Sequence, residues 1–409
     1  MTRPVRDTQT APTAAAGRLR PWRFVLVFGV VSLLADFVYE GARSVTGPLL
    51  ASLGASAVVV GVVTGVGEAA ALLPRLVSGA LAERTGRFWA WTIAGYALTV
   101  AAVPLLGVAG VLWAACVLVV AERVGKAVRS PAKDALLSHA TAATGRGRGF
   151  AVHEALDQVG AVAGPLLVAG VLATGAGYGP ALALLAVPGL GALALLVWLR
   201  ARVPDPAGYE PAAVPAPRTD PDPATVARTP LPRAFWVYAA FTAATTTGLA
   251  TFGVLSFHAV NRGLLPVAAV PVVYAAAMGV DALAALVTGW AYDRYSPGVL
   301  AALPPLAATV PALAFTNTAT LVVAGALVWG AVTGVQESTL RATVADLVPP
   351  ARRASAYGIF AGVVGATTAA GGALAGALYD LSIPTLIVVT AAVQATALVL
   401  LAASRRIRP

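Results

Sequence analysis

Long apolar runs make up most of the chain, and short polar segments separate them. A helix rises about 1.5 Å per residue, so roughly 20 consecutive apolar residues cross the hydrocarbon core of a bilayer. The pattern predicts an all-α integral membrane fold with twelve transmembrane helices. The predicted spans are 23–52, 57–82, 88–107, 110–130, 150–173, 178–200, 234–260, 267–292, 298–316, 318–340, 354–379 and 383–403.

The composition excludes a soluble globular domain. Hydrophobic residues make up 58% of the chain and charged residues 11%, and the mean hydropathy is +0.80. These values lie outside the usual range of soluble domains. The chain has a single cysteine, Cys116, which excludes an internal disulfide and a cysteine-based zinc site. We expect no cofactor and no bound metal.

The basic residues predict the orientation of the helices, because cytoplasmic loops are enriched in Lys and Arg. When alternate loops are assigned to the cytoplasm, that side receives every Lys and Arg except Arg43, Arg75 and Arg262. Both termini are then cytoplasmic. The net charge of +10 is explained by membrane anchoring, so nucleic acid is not an expected partner.

This assignment counts Arg123, Lys126 and Arg129 on the cytoplasmic side, at the cytoplasmic end of the fourth predicted span, 110–130. Residues 1–22 are polar and are expected to form a cytoplasmic tail before an uncleaved first helix. The bias toward Ala, Gly and Arg is typical of bacteria with G+C-rich genomes. We therefore predict a multi-pass protein of a bacterial inner (plasma) membrane.

The chain divides into two halves of six predicted helices each, 23–200 and 234–403. Residues 201–233 are rich in Pro, Asp and Arg, which predicts a flexible cytoplasmic linker. Residues 404–409 form a short C-terminal tail. Two motifs recur in both halves and indicate a parallel repeat, which is common in transporters. The matching motifs are 79–84 with 289–294, and Arg129 with Asp134 against Arg341 with Asp346.

The motif after the second run resembles the loop signature of the major facilitator superfamily, between the second and third helices of that family. The matching residues are Gly79, Leu81, Glu83, Arg84, Gly86 and Arg87. Glu83 stands where the family usually has Asp. The resemblance implies two six-helix halves, secondary transport by alternating access around a central cavity, and action as a monomer.

The resemblance also implies a cytoplasmic gate of charged residues. Glu83 would accept hydrogen bonds from backbone donors at the start of helix eleven, and Arg84 and Arg87 would pair with Asp134 when the gate closes. Ordinary anchoring by solvated charges is the alternative. The predicted gate residues are Gly79, Glu83, Arg84, Arg87, Arg129, Asp134, Asp293, Arg294, Arg341 and Asp346.

Helix five carries a glycine–proline motif formed by Gly160, Gly164 and Pro165. It resembles a superfamily motif that is commonest among proton-driven exporters. We expect these residues to form a hinge, with close helix packing as the alternative. The motif favours export over import.

Charged residues inside the predicted spans are the sharpest indication of a site, because each is costly in lipid unless it is paired or faces water. A carboxyl group in an apolar cavity holds a proton more readily than one in water, as a proton carrier requires. Static pairing of the acids with Arg43 or Arg75 is the alternative. The predicted substrate and proton-coupling residues are Asp36, Glu40, Arg43, Glu68, Asp157 and Asp281.

The sequence therefore favours a secondary active transporter, with proton-coupled efflux of a small organic molecule as the first hypothesis. Import of a metabolite by a symporter or uniporter is the second, because the acids serve either direction. An integral membrane enzyme is a remote alternative, since no zinc-ligand cluster, nucleophile elbow or phosphate-binding loop is present in the sequence. The expected partners are the substrate, protons and the lipid bilayer. Helices and acids do not specify the substrate.

Overall fold

Helices form nearly all of the computed structural model, which describes residues 19–210, 230–349 and 352–406. Two 3-10 helices, Pro206–Tyr209 and Ser296–Ala302, accompany the α-helices. The α-helices are α1 Pro21–Arg43, α2 Thr46–Ser52, α3 Ala57–Leu72, α4 Arg75–Thr85, α5 Phe88–Gly107, α6 Leu112–Thr144, α7 Arg146–Ala173, α8 Tyr178–Leu184, α9 Ala186–Arg202, α10 Arg233–Thr247, α11 Phe252–Asn261, α12 Ala269–Tyr295, α13 Leu303–Ala314, α14 Ala319–Leu347, α15 Arg353–Leu381 and α16 Ile383–Arg406.

Ten helical segments among the described residues are long and apolar enough to cross a membrane, and Gly298–Ala314 is a shorter apolar helix. Large apolar side chains on the outer surface are exposed, such as Leu286 (72%), Val388 (67%) and Val399 (69%). An exposed apolar surface of this kind matches contact with lipid. The chain is a multi-pass membrane protein.

Several predicted spans are interrupted in the structure. The span predicted at 57–82 is divided into α3 and α4, because Pro74 has no N–H to donate within a helix. The span predicted at 178–200 is divided at Leu185, and that at 234–260 is divided between Thr247 and Phe252. Each pair still forms one membrane-length segment.

The structure corrects the prediction for the fourth span and for the basic residues assigned to the cytoplasmic side after it. Helix α6 continues to Thr144 without a loop. Arg123 and Arg129 are 5% and 3% exposed, and Lys126 lines an interior cavity. Their assignment to the cytoplasmic surface was wrong, because they lie inside the helix bundle, where basic residues contribute nothing to the positive-inside pattern.

Helices of the two halves pack closely along their length, and α3 against α15 is the most extensive such pair. Glycines make this approach possible, because a Cβ atom on Gly61 would meet the backbone of Gly372, and one on Gly376 would meet the backbone of Ala57. Helices α7 and α12 also pack together. The main apolar core contains buried residues from both halves, for example Leu50 and Phe241.

We call the side of the bundle that contains residues 202–210 the linker side. There Tyr209 donates a hydrogen bond to the Leu19 carbonyl (2.7 Å). On the opposite side the two halves are joined by direct contacts. The Thr64 and Thr251 hydroxyls lie 2.7 Å apart, and Asp380 accepts hydrogen bonds from the first amides of α3. The bundle is therefore closed on the side opposite the linker.

Candidate functional site

A cavity of about 300 Å³ lies between the two halves. We call it the central cavity. Exposed Asp134, Glu154 and Glu337 line its linker side, so it opens toward that side. All six residues predicted for substrate and proton coupling line this cavity. Its lining is Asp36, Tyr39, Glu40, Arg43, Glu68, Arg75, Tyr96, Lys126, Arg129, Ser130, Lys133, Asp134, Glu154, Asp157, Gln158, Ala161, Met278, Asp281, Thr333 and Glu337.

A larger depression of about 860 Å³ lies at the linker side, between Arg87, His139, Arg200 and Pro204. It is formed by the N-terminal half and the segment after α9 alone. The central cavity, by contrast, is lined by residues of both halves and by all six of the predicted residues. We therefore take the smaller central cavity as the candidate site.

An ion-pair network occupies the N-terminal wall of the cavity. Arg43 Nη2 lies 2.8 Å from Glu68 Oε1, and Arg43 Nη1 lies 3.4 Å from Glu40 Oε1. Arg123 approaches Glu68 at 3.6 Å and Glu122 at 3.3 Å. These contacts agree with static pairing, the alternative considered for Glu40 and Glu68, because each acid has an arginine partner.

Glu40 also connects the two halves at the closed end of the cavity. The Tyr274 hydroxyl of α12 donates a hydrogen bond to Glu40 Oε2. Tyr274 is fully buried, and its ring packs on Phe252 at a centroid distance of 4.6 Å. Arg43 lies 6.0 Å from the centroid of the same ring. This contact closes the floor of the cavity opposite the linker side.

Lys126 and Asp36 are linked through a tyrosine hydroxyl. Lys126 Nζ donates to the Tyr39 hydroxyl (2.8 Å), which donates to Asp36 Oδ2 (3.3 Å). Lys126 also lies 4.2 Å from the Tyr39 ring centroid, a cation–π distance. Arg129, one turn along α6, donates to Thr99 Oγ1 (2.9 Å). The structure thus places Lys126 and Arg129 of α6 on the cavity wall, together with Lys133 of the same helix.

Asp157 of α7 lies nearer the linker side. Its carboxylate is 3.9 Å from Lys133 Nζ and 3.3 Å from His153 Nδ1. The other nitrogen of His153 lies 3.1 Å from Ser32 Oγ. Asp157 is therefore held between α6 and α7 by partners of the N-terminal half.

Asp281 occupies the C-terminal wall together with Met278, Thr333 and Glu337. It is 4% exposed, and its Oδ1 atom is buried with no hydrogen-bond partner among the described residues. Burying an ionised carboxylate without a partner is costly. Asp281 is thus a buried acid that faces the cavity and lacks the partner that Glu40, Glu68 and Asp157 have.

Backbone contacts place Asp281 against α14. A Cβ atom on Gly334 would meet the Asp281 carbonyl, and one on Gly330 would meet the Ala277 carbonyl. Two glycines four residues apart let the helices approach at this level. The same contact brings Thr333 and Glu337 of α14 to the cavity wall.

The predicted gate residues do not form a closed gate in this structure. Glu83, Arg84 and Arg87 are exposed at the linker side. Within the described part of the chain, neither arginine pairs with Asp134, which instead lines the cavity mouth. Gly79 faces α6, where a Cβ atom on this glycine would lie 3.4 Å from the Cβ atom of Pro131. Gly79, Glu83, Arg84, Arg87 and Asp134 therefore all lie within the N-terminal half, and the described contacts of these residues do not reach the C-terminal half.

The remaining gate residues lie in three different environments. Arg129 is buried and faces the central cavity. Asp293 and Arg294 are exposed at the linker end of α12. Asp346 accepts a hydrogen bond from the Tyr292 hydroxyl (2.7 Å). Arg341 lies outside the residues whose side chains the structure describes.

The glycine–proline motif packs against α1. A Cβ atom on Gly160 would meet the Leu33 carbonyl, and one on Gly164 would meet the Phe37 carbonyl. Pro165 lies within the unbroken helix α7. The contacts agree with the packing alternative, and the hinge stays a prediction.

Sequence reasoning missed three parts of the site. The charge pattern assigns Lys126 and Lys133 to the cytoplasmic surface as anchors. The helix that carries them continues to Thr144, beyond the predicted span, and this continuation places both residues inside the bundle. Asp380 gave no signal, because an acid at the end of a run resembles a loop residue. Its carboxylate oxygens lie 3.3 Å from the Ala57 amide nitrogen and 3.0 Å from that of Val58.

The described part of the site has no recognisable arrangement for a metal. Among the described residues, no group of three or more His, Cys, Asp or Glu side chains is placed to hold a metal ion. The acids of the cavity are instead spread over α1, α3, α6, α7, α12 and α14.

Known proteins resemble the chain, some of them over almost its whole length. The sequence model described as Major Facilitator Superfamily matches residues 28–304 and 273–409. The uncharacterized protein Rv2265 of Mycobacterium tuberculosis is 64% identical over 388 residues, covering 95% of this chain and 94% of that protein. The uncharacterized MFS-type transporter MJ1317 of Methanocaldococcus jannaschii is 27% identical over 143 residues, covering 35% of this chain and 36% of that protein.

Solved structures share the fold. The peptide transporter POT in complex with sulfate gives a TM-score of 0.73 at 15% identity and covers 94% of both chains. The nucleoside transporter NupG gives 0.69 at 15% identity, covering 94% of this chain and 98% of that one. An inward-facing, unoccupied bacterial homologue of the lysosomal transporter Spinster gives 0.69 at 15% identity, covering 95% and 96%.

A bundle of membrane helices with a polar cavity between its two halves is typical of membrane transport proteins, and this is the class to which the fold and the site point. The family match covers most of the chain. The chain belongs to the major facilitator superfamily.

Proposed function

We propose that this protein is a proton-coupled secondary transporter that moves a small organic molecule by alternating access, with export as its direction. The observation that carries the proposal is Asp281, a buried acid without a partner among the described residues, on the cavity wall. An acid in this position can gain and lose a proton without breaking an ion pair. Both the proton and the substrate would then use the central cavity.

The proposed topology has twelve spans and cytoplasmic termini in a bacterial inner membrane. Gly298–Ala314 and the first part of α6 supply the two spans beyond the ten long apolar segments. The linker side would be cytoplasmic, because Arg200, Arg202 and Arg233 lie at the helix ends next to the linker. The halves 23–200 and 234–403 follow the prediction, and much of the linker 201–233 lies outside the described residues.

The described conformation would then open to the cytoplasm. The Tyr274–Glu40 and Thr64–Thr251 contacts close the outer side, whereas the predicted gate charges at the linker side stand apart. We propose that Arg84 and Arg87 approach Asp134 when the cavity opens outward. One chain supplies both cavity walls, which supports the proposal that a monomer is the working unit.

The glycine–proline motif supports export, whereas the acids of the cavity also fit import. An unpaired acid such as Asp281 can carry a proton in symport as well as in antiport. Import of a metabolite is therefore the second candidate function. The direction of the proton that accompanies the substrate separates the two.

The test uses the full chain in liposomes that contain a pH-sensitive dye. Amino acids, nucleosides and lipophilic cations are added one at a time under inward and outward pH gradients. Saturable uptake accompanied by proton release supports antiport, and uptake accompanied by proton entry supports symport. Saturable flux without proton movement would overturn the coupling, and unsaturable conductance would overturn the carrier.

A further inference from the structure

The two walls of the central cavity carry charges of opposite sign that lack partners of opposite charge among the described residues. On the N-terminal wall these are Lys126 and Arg129 of α6, and on the C-terminal wall it is Asp281 of α12. Within the described part of the chain, no carboxylate lies within ion-pair distance of either cation. Two further cations of the N-terminal wall differ, because Arg43 pairs with Glu40 and Glu68 and Lys133 pairs with Asp157.

Lys126 and Arg129 are fixed in place by uncharged partners. Lys126 donates one hydrogen bond from its ammonium group to the Tyr39 hydroxyl. Arg129 donates one from Nη1 to the Thr99 hydroxyl. Arg129 also lies 4.7 Å from the Tyr96 ring centroid. Hydroxyls and rings orient a cation without neutralising it, so the remaining N–H groups can bind an anionic group of a ligand.

The opposite wall has the reverse chemistry. Asp281 is 4% exposed, and its Oδ1 atom has no hydrogen-bond partner among the described residues. Its lining neighbours on the C-terminal half are Met278, Thr333 and Glu337, so the described residues of this half bring no cation to the cavity. A buried carboxylate without a partner is a site for an ammonium group.

We infer that the central cavity binds a small zwitterion, with the anionic group against Lys126 and Arg129 and the ammonium group against Asp281. This inference rests on the proposed carrier function and names the substrate class for it. A cavity of about 300 Å³ is at the small end of ligand pockets, which suits a molecule of the size of an amino acid. Such a ligand satisfies charges on both halves only while both walls face it.

The first test compares ligands that differ only in charge. The purified full chain is titrated with ω-amino acids from glycine to aminocaproate, and with alkylamines and carboxylates of matched length, with the thermal shift as the measurement. At the best chain length, the amino acid should bind roughly a hundredfold more tightly than either singly charged analogue. If amines or carboxylates bind equally well, or if no amino acid of the ladder binds, the inference is wrong.

Two variants then assign each end of the ligand. With Lys126→Gln the amino acid should bind no more tightly than the amine, and with Asp281→Asn no more tightly than the carboxylate. Arg200→Gln, at the linker side and away from the cavity, should keep the preference. If both variants still bind the amino acid more tightly than the singly charged analogues, the charges are assigned wrongly. Because binding is measured without a gradient, a missing proton flux would contradict the proton coupling, and unsaturable conductance would contradict the carrier, while either would leave this binding result intact.

Discussion

The two halves of the bundle share an arrangement of helices but differ in the chemistry of their interior. In the N-terminal half, arginines join Glu40, Glu68 and Glu122 in one network. In the C-terminal half, Asp281 faces the same cavity without a partner among the described residues. Buried charges that are paired hold structure, whereas an unpaired one is free to exchange its partner. The paired charges of the N-terminal half therefore stabilise the structure, whereas the unpaired acid of the C-terminal half is available to exchange a proton or a ligand.

The largest expected effect comes from the unpaired acid. Asp281→Asn should reduce proton-linked transport to the background of empty liposomes, because Asp281 is the buried acid that lines the cavity from the described C-terminal half. The melting temperature should stay equal or rise, because the substitution removes a buried charge without breaking an ion pair. Flux assays and thermal unfolding of the same preparation measure both quantities.

Asp281→Glu is the matched control for this prediction, since it keeps the carboxylate and should restore part of the proton-linked flux. A clear loss of stability in Asp281→Asn would mean that the acid has a structural partner. Full proton coupling in that variant would assign the coupling to another group, such as Asp36.

The paired acid should show the reverse result. Glu68→Gln should lower the free energy of unfolding by about 2 kcal/mol, because Glu68 accepts charged contacts from both Arg43 and Arg123. Its side chain is 25% exposed toward the cavity, which keeps the loss below that of a fully buried pair. Chemical denaturation in detergent measures it, and an unchanged midpoint would mean that the network adds no stability.

A smaller effect is expected at the contact that joins the halves on the side opposite the linker. Asp380 caps α3 through the amides of Ala57 and Val58. Asp380→Ala should weaken this closure by about 1 kcal/mol, the usual value of a helix cap, and shift the population of conformers toward opening on that side. Distances between spin labels on the two halves measure the shift, and Asp380→Asn is the control that keeps a capping oxygen.

The smallest effect is expected at the exposed gate residues. Glu83→Gln should leave the melting temperature unchanged, because Glu83 is exposed and has no ion pair among the described residues. Its effect should be confined to the rate of transport, because we propose that the gate forms only in the outward-open conformation. A loss of stability comparable with that of Glu68→Gln would show that Glu83 already has a partner in this state.

Much of the architecture was predictable from the chain alone. The length and apolarity of the runs predict membrane helices, because an unpaired backbone cannot be exposed to lipid. The charged positions inside those runs predicted a site for the same reason, and all six of the predicted residues line one cavity. The loop motif around Gly79 predicted the family, which the family match confirms.

Other properties depend on neighbours that are distant in sequence. Glu68 and Asp281 are both acids within apolar runs, and only the packing of α3 against α6 and of α12 against α14 decides that the first has arginines beside it and the second has none among the described residues. Lys126 resembles a surface anchor in the sequence, and only the continuation of α6 through the bundle places it inside. The sequence by itself determined the membrane helices, the family and the set of candidate charges. The tertiary structure decided which charges are paired, because the strength of an ion pair depends on a distance between helices that no local pattern encodes.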